Sequence, residues 1–138
     1  MRKLDEIAGD LRDLLSSEFP TVRISAMQGT DQLFREIKAI NPDKLPGVIV
    51  TFDSLKFNGS GMTGTLTANL ILVDQFRAGS DERALSVFQA AAALMELFPA
   101  DGREISGVWY YPADCVASSP DAGYAALKIG IEIKQGTN

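Results

Sequence analysis

Two neighbouring stretches, VIVTFDSLKF from Val48 to Phe57 and TLTANLILV from Thr65 to Val73, limit the fold more than anything else in the chain. In the second, Leu66, Ala68, Leu70 and Leu72 fall on one side of an extended backbone, and Thr65, Thr67 and Asn69 fall on the other. That period of two marks a strand with one face in a core. In the first, Val48, Val50 and Phe52 hold even positions, whereas Leu55 and Phe57 hold odd ones. Such a slip in phase predicts a bulge or bend near Asp53-Ser54. A glycine-rich loop joins the two stretches, so together they read as a long β-hairpin.

The loop carries Gly59-Ser60-Gly61-Met62-Thr63-Gly64, a letter-by-letter match to G-x-G-x-x-G. Dinucleotide binding requires the last glycine to open a helix, whose N-terminus meets the pyrophosphate. Here that glycine leads into Thr65-Leu66-Thr67-Ala68, which has strand character. No Gly-Lys-Ser or Gly-Lys-Thr pair follows to make a phosphate loop. The loop is therefore expected to be a polar hairpin tip, with Asn58, Ser60, Met62 and Thr63 available to touch a partner and no cofactor bound.

Before the hairpin, Leu4, Ile7, Ala8, Leu11, Leu14 and Leu15 recur at helical spacing, with Asp5, Glu6, Asp10, Arg12 and Asp13 opposite them. They predict an amphipathic helix over residues 3–18, ended before Pro20 and covering the sheet. Val22–Ala26 alternates as a short strand. A second helix follows, capped near Gly29-Thr30-Asp31, carrying Leu33, Phe34, Ile37 and Ile40 and stopped by Asn41-Pro42.

After the hairpin, a third helix is expected from Ser80 or Asp81 to Phe98. Its expected buried stripe is Ala84, Val87, Phe88, Ala91, Met95 and Phe98, flanked by Leu85, Ala92 and Leu94. Full burial of Leu85, Phe88, Met95 or Phe98 is worth roughly 1.5–3 kcal/mol each. Ala90, Ala93 and Leu97 then project away from the stripe. They are read either as plain helix formers or as a second contact surface.

Ile105, Gly107, Trp109 and Tyr111 alternate in a strand ended by Pro112, and Cys115-Val116-Ala117 reads as another short one. Pro120–Gly123 reads as a turn. Leu127, Ile129, Ile131 and Ile133, opposite Lys128, Glu132 and Lys134, make the last strand. The order α-β-α-β-β-α-β-β-β gives an α+β class. Its sheet is mixed but mainly antiparallel, contains the long β-hairpin, and is packed by two or three helices.

With 138 residues, 46% of them hydrophobic and 22% charged, the chain suits one domain with a real core. Its net charge of −5 and scattered Lys and Arg argue against nucleic-acid or anionic-membrane binding. There is no histidine, which excludes Ser-His-Asp and Cys-His catalysis; with Cys115 as the one cysteine, a standard zinc site and an internal disulfide are excluded too. The N-terminus has acids within its first six residues and is not expected to be a signal peptide. No apolar run approaches the ~20 residues of a membrane helix. A soluble protein made in the cytoplasm is expected.

Few side chains offer chemistry. Asp101, Glu104, Asp114 and Asp121 lie in the expected C-terminal loops, where two of them meeting would make an acid/base pair or a divalent-ion site. No calcium-loop spacing supports this, and solvated carboxylates are the plainer reading. Cys115 lacks a neighbour that would lower its pKa and is expected to be small and half-buried. Trp109-Tyr110-Tyr111 is aromatic on both faces of one strand: core on one side, and either a covered edge or an interface anchor on the other. The expectation is no enzyme and no metal.

The arrangement of PGVIVTFDSLKF, NGSGM, TGTLTANLILVDQF, the helix DERALSVFQAAAALMELF and the closing AALKIGIEIKQ resembles tailed-phage tail-terminator and tail-completion proteins, above all the Mu-like prophage tail-terminator family. The resemblance covers nearly the whole chain through element order rather than an invariant motif. It implies a structural, non-catalytic role: an oligomeric ring, often of six subunits, that caps the tail tube and joins it to the neck or head connector. It places the protein in the host cytoplasm during assembly and then in the virion tail. Partners would be further copies of the chain, the tail tube protein and the connector. Subunit contacts would fall on the hairpin around residues 53–65 and on Ala90, Ala93 and Leu97. On physical grounds a ring needs two different complementary patches, and Trp109 and Tyr110 offer a further one. The alternative reading is a small binding or regulatory domain of unknown ligand.

Overall fold

The computed structural model describes residues 2–25, 30–40, 42–57, 64–75, 81–121 and 124–135. The expected hairpin is its centre. β2 (Gly47–Phe57) and β3 (Gly64–Gln75) run antiparallel, with Val50 opposite Leu70 and Phe52 opposite Ala68. The register then slips, so that Ser54 faces Thr67 and Asp53 is the extra residue. The bulge lies where the apolar phase changes, as expected. The Asp53 carboxylate accepts a hydrogen bond from the buried Asn69 amide across the hairpin. Gly64 opens a strand, not a helix, so the glycine motif has no helix dipole to offer a pyrophosphate. Asn58, Ser60, Met62 and Thr63 lie outside the described residues.

Six strands form one mixed sheet in the order β1-β2-β3-β6-β5-β4. β6 (Tyr124–Gln135) pairs antiparallel with β3 along its whole length and places Leu127, Ile129, Ile131 and Ile133 beside Leu66–Leu72. β1 (Thr21–Ser25) runs parallel to β2. Parallel neighbours need a crossover, and α2 (Thr30–Ala39) with the short 3-10 turn Pro42–Lys44 supplies it.

Helices cover both faces. On one, α1 (Leu4–Ser16) lays Ile7, Leu11 and Leu15 against Val48, Val50, Leu70 and Leu72 in the main cluster. These residues recur at a spacing of four, and Asp5, Asp13 and Arg12 stay in water. On the other face, Ile37 of α2 and Ile40 just beyond its end pack with Ile49, Ile71, Val73 and Ala126. This double cover explains why β2 and β3 carry continuous apolar runs, VIV and LILV, where a one-sided strand would alternate.

α3 (Asp81–Leu97) joins α1 on the first face and buries Ala91, Leu94 and Phe98 as expected, but it is rotated so that Phe88 and Met95 of the expected stripe turn outward. From Phe88 on, where its side chains are described, the buried residues are Ala91 and Leu94, continued by Phe98, with Ala90 and Leu97 packed beside them; the side chains of Ala84, Leu85 and Val87 lie outside the described ones. Phe88 and Met95 are 63% and 54% exposed. They belong to the outer side, and Ala90 and Leu97 do not project away from the core. A helix apolar almost all round has no single periodic stripe. The fully buried Leu94 and the small Ala91 set its rotation against the sheet.

The C-terminal strands also differ from the expectation. β4 (Arg103–Ile105) and β5 (Val108–Asp121) form a hairpin, so Ile105 and Trp109 are on separate strands. Ser106 and Gly107 turn the chain with φ of 53° and 82°, the pair of positive values that a tight type I′ turn requires. β5 does not stop at Pro112. It runs on through Cys115–Ala117 and Pro120, with register shifts between Pro112 and Asp114 and between Ser118 and Asp121. Beyond Tyr110, β5 pairs with β6 alone among the described strands. An open edge with bulges tolerates a residue that lacks an N–H.

Candidate interaction surfaces

The alternation of β5 sorts its three adjacent aromatics. Tyr110 is fully buried in the main cluster, with its ring 6.3 Å from that of Phe98. This corrects its reading as an interface residue: a strand with an apolar core on one side must turn every second residue inward. Trp109 and Tyr111 therefore face the opposite side of the sheet from α1 and α3. Their rings stack at 6.3 Å and 20°, and the Lys134 ammonium sits 5.6 Å from the Tyr111 ring, a cation–π distance. Trp109 remains 40% exposed.

The turn ending at Gly102 braces this pair. The Gly102 N–H donates to the Pro99 carbonyl at 2.9 Å, and its φ is +96°. A Cβ there would lie 2.6 Å from Tyr111 Cε1 and 3.1 Å from Trp109 Cε3. Only glycine allows this backbone to approach the rings so closely.

The second surface is the outer side of α3, where Phe88, Ala92 and Met95 follow one another at helical spacing. The sequence carried a signal for it. Gln89 and Glu96 sit on this side and mark it as the wet one, whereas size alone drew Phe88 and Met95 into the expected core. Ala93 is half-buried, as are Ala90 and Leu97.

The ionisable groups are arranged for structure. The Arg2 guanidinium holds Asp10 through two bonds of 2.7 and 3.0 Å and Glu6 through one of 2.7 Å. Its backbone N–H donates to Gln135 Oε1, and Gln135 Nε2 donates back to the Arg2 carbonyl, both at 2.9 Å. These contacts tie the start of α1 to the end of β6, and the bond to Asp10 raises the Arg2 pKa. Burial pushes the Tyr110 hydroxyl up to about 12, helped by the Asp10 carboxylate and opposed by Arg2. Arg103 donates to the Leu97 carbonyl at 3.0 Å and so caps the C-terminal end of α3.

Asp101, Glu104 and Asp114 are each exposed and belong to different stretches: the turn before β4, β4 itself and β5. The Asp121 side chain lies outside the described residues. Among the described residues, no group of three or more Cys, Asp or Glu gathers as a metal site would require. Cys115 is exposed rather than half-buried, because it lies on the open part of β5. No helix of the described structure is long and apolar enough to cross a membrane. No known protein-family profile matches the chain, and no curated protein matches it.

Proposed function

We propose that the protein is a structural assembly subunit that associates with copies of itself, and that its assembly is the ring that terminates a phage or prophage tail tube. The observation that supports this reading is a pair of unlike apolar surfaces on opposite faces of one sheet. Phe88, Ala92 and Met95 lie on the outside of α3, and the stacked Trp109 and Tyr111 lie on the far face. Ring contacts are head-to-tail, so each subunit must present two different patches pointing apart. Exposed aromatic and methionine side chains are also the residue types enriched at protein interfaces. In the finer form of the proposal, taken from the resemblance of element order, the ring meets the tail tube on one side and the neck or head connector on the other. Light scattering over a concentration series, with electron micrographs of the largest species, tests it. Closed rings support the reading. A monomer that remains so at high concentration and in the presence of tail tubes refutes it.

A further inference from the structure

A strand edge presents a row of unpaired N–H and C=O groups, which folded proteins protect with charges, prolines or bulges. β4 covers β5 from Val108 to Tyr110, and beyond that point β5 pairs with β6 alone among the described strands. Pro112 and Pro120, each at a register shift, guard the two ends of this open stretch. Its middle has no such guard. Asp114 is the one charged residue between the prolines. Its carboxylate is folded back over Gly130 of β6, so close that a Cβ there would not fit. Cys115, paired with Ile129, lies on the side of α1 and α3, and Val116, paired with Lys128, lies on the far side. Both are exposed, so neither face is covered here.

The register also gives the direction of the backbone groups. Along an antiparallel strand, successive residues point their N–H and C=O to one neighbour and then to the other. Ile105 and Val108 close a tight turn, so Val108 points to β4, while Trp109 and Tyr111 point to their β6 partners Lys134 and Glu132. β6 pairs with β3 without a register shift and so keeps its alternation. Gly130 and Lys128 therefore also point to β5, each toward its partner, Asp114 or Val116. The N–H and C=O groups of Cys115 and Ala117 are left pointing outward. Pro112 shares the outward parity of Val108 and Tyr110, which is why its missing N–H is tolerated.

From this geometry we propose that the open edge of β5 pairs antiparallel with the same edge of a second copy of the chain, about a two-fold axis at Val116, and joins the two sheets into one. A two-fold axis normal to a sheet lays an edge strand antiparallel to its own copy, so one strand supplies both sides of the contact. Val116 is the centre because it lies midway between Pro112 and Pro120. In that register the prolines fall at the two ends, opposite one another. Each outward-pointing Cys115 meets an outward-pointing Ala117 and exchanges both backbone hydrogen bonds with it. Asp114 faces Ser118, so the two carboxylates stay apart. Val116, 53% exposed, meets its own counterpart at a position without hydrogen bonds, where Cα atoms approach to about 4.5 Å and side chains are closest. The symmetric spacing of the prolines favours a copy of β5 over an unrelated strand. The contact uses neither Phe88, Met95 nor Trp109, so it stands apart from the ring reading.

The test is disulfide trapping of the full chain carrying Cys115→Ala, Phe88→Ser and Met95→Ser, which removes the native thiol and the outer surface of α3. In this background Val116→Cys forms a covalent dimer under mild oxidation, because its Cα lies within disulfide range of its counterpart. Asp114→Cys, whose counterpart is offset by about 13 Å along the strand, reacts at least about tenfold more slowly. Adding Ala117→Pro to Val116→Cys removes an outward N–H, leaves the bonds to β6 in place and reduces trapping at least about tenfold. Cys115→Pro in place of Cys115→Ala blocks the other outward N–H and has the same effect. Circular dichroism shows which variants are folded. No covalent dimer through position 116, equal trapping at 114 and 116, or trapping in a folded chain that is indifferent to the added prolines each overturns the proposal.

Discussion

The phase of α3 can be tested with two alanine substitutions one turn and a half apart. Leu94 is fully buried among the strands of the main cluster, and Phe88 is 63% exposed. Truncating a buried leucine removes its transfer free energy and leaves a cavity, so Leu94→Ala should cost about 2–5 kcal/mol. Phe88 withdraws only a little over a third of its surface from water, which limits Phe88→Ala to roughly 1 kcal/mol. At this chain length, 1 kcal/mol moves the melting temperature by roughly 3–5 °C. Leu94→Ala should therefore melt on the order of 10 °C lower, and Phe88→Ala no more than about 4 °C lower. Urea unfolding of dilute chain, where association does not contribute, gives the free energies directly if the slope with denaturant is unchanged. The account of α3 is refuted if the larger side chain proves the more costly, or if Leu94→Ala falls within about 0.5 kcal/mol of wild type.

Three further outcomes follow from the same packing. Gly102→Ala forces a side chain onto the Tyr111 and Trp109 rings at a positive φ and should destabilise by about 2 kcal/mol in urea unfolding. Tyr110 has a folded pKa of about 12 against about 10 when unfolded. Its stabilising contribution is thus complete below pH ~10 and is lost as pH rises through ~12, a fall on the order of 2 kcal/mol. Tyr110→Phe should flatten that part of the stability–pH curve while costing less than about 1 kcal/mol at pH 7, because no protein group bonds the buried hydroxyl among the described residues. Trp109→Ser should destabilise the chain more than Phe88→Ala does, since Trp109 is only 40% exposed and its ring stacks on Tyr111, and at temperatures where the variant is still folded it should reduce the assembled fraction in light scattering.

Local patterns were readable where one face of an element was apolar and the other was not. The alternation in Leu66–Leu72 and the phase slip at Asp53 identified the hairpin and its bulge. The charges of α1 identified its buried side. Three features escaped for physical reasons. The all-round apolar surface of α3 hid its rotation, which packing of Leu94 and Ala91 decides. The alternation of Ile105, Gly107, Trp109 and Tyr111 imitated one strand, although Ser106-Gly107 turns the chain between two. Pro112 looked like a stop because an interior strand would need its N–H, and nothing local showed that β5 lies at an edge there. The parallel pairing of β1 with β2, and the placing of α2 on the second face, depend on contacts far apart in sequence. Of the candidate surfaces, Trp109 was anticipated and remains exposed. Tyr110 was lost to the core by strand alternation, and the Phe88–Met95 side was assigned to the core on side-chain size although Gln89 and Glu96 marked it as wet.

Assembly through the two opposite surfaces is the central claim, and mass in solution addresses it most directly. Sedimentation velocity of the wild-type chain, alone and mixed with tail tubes, should reveal a discrete species several times 14.9 kDa. That species should disappear both in Phe88→Ser/Met95→Ser and in Trp109→Ser at temperatures where circular dichroism shows each variant folded. A wild-type chain that never exceeds a dimer under either condition, or a large species indifferent to both sets of substitutions, would contradict the claim.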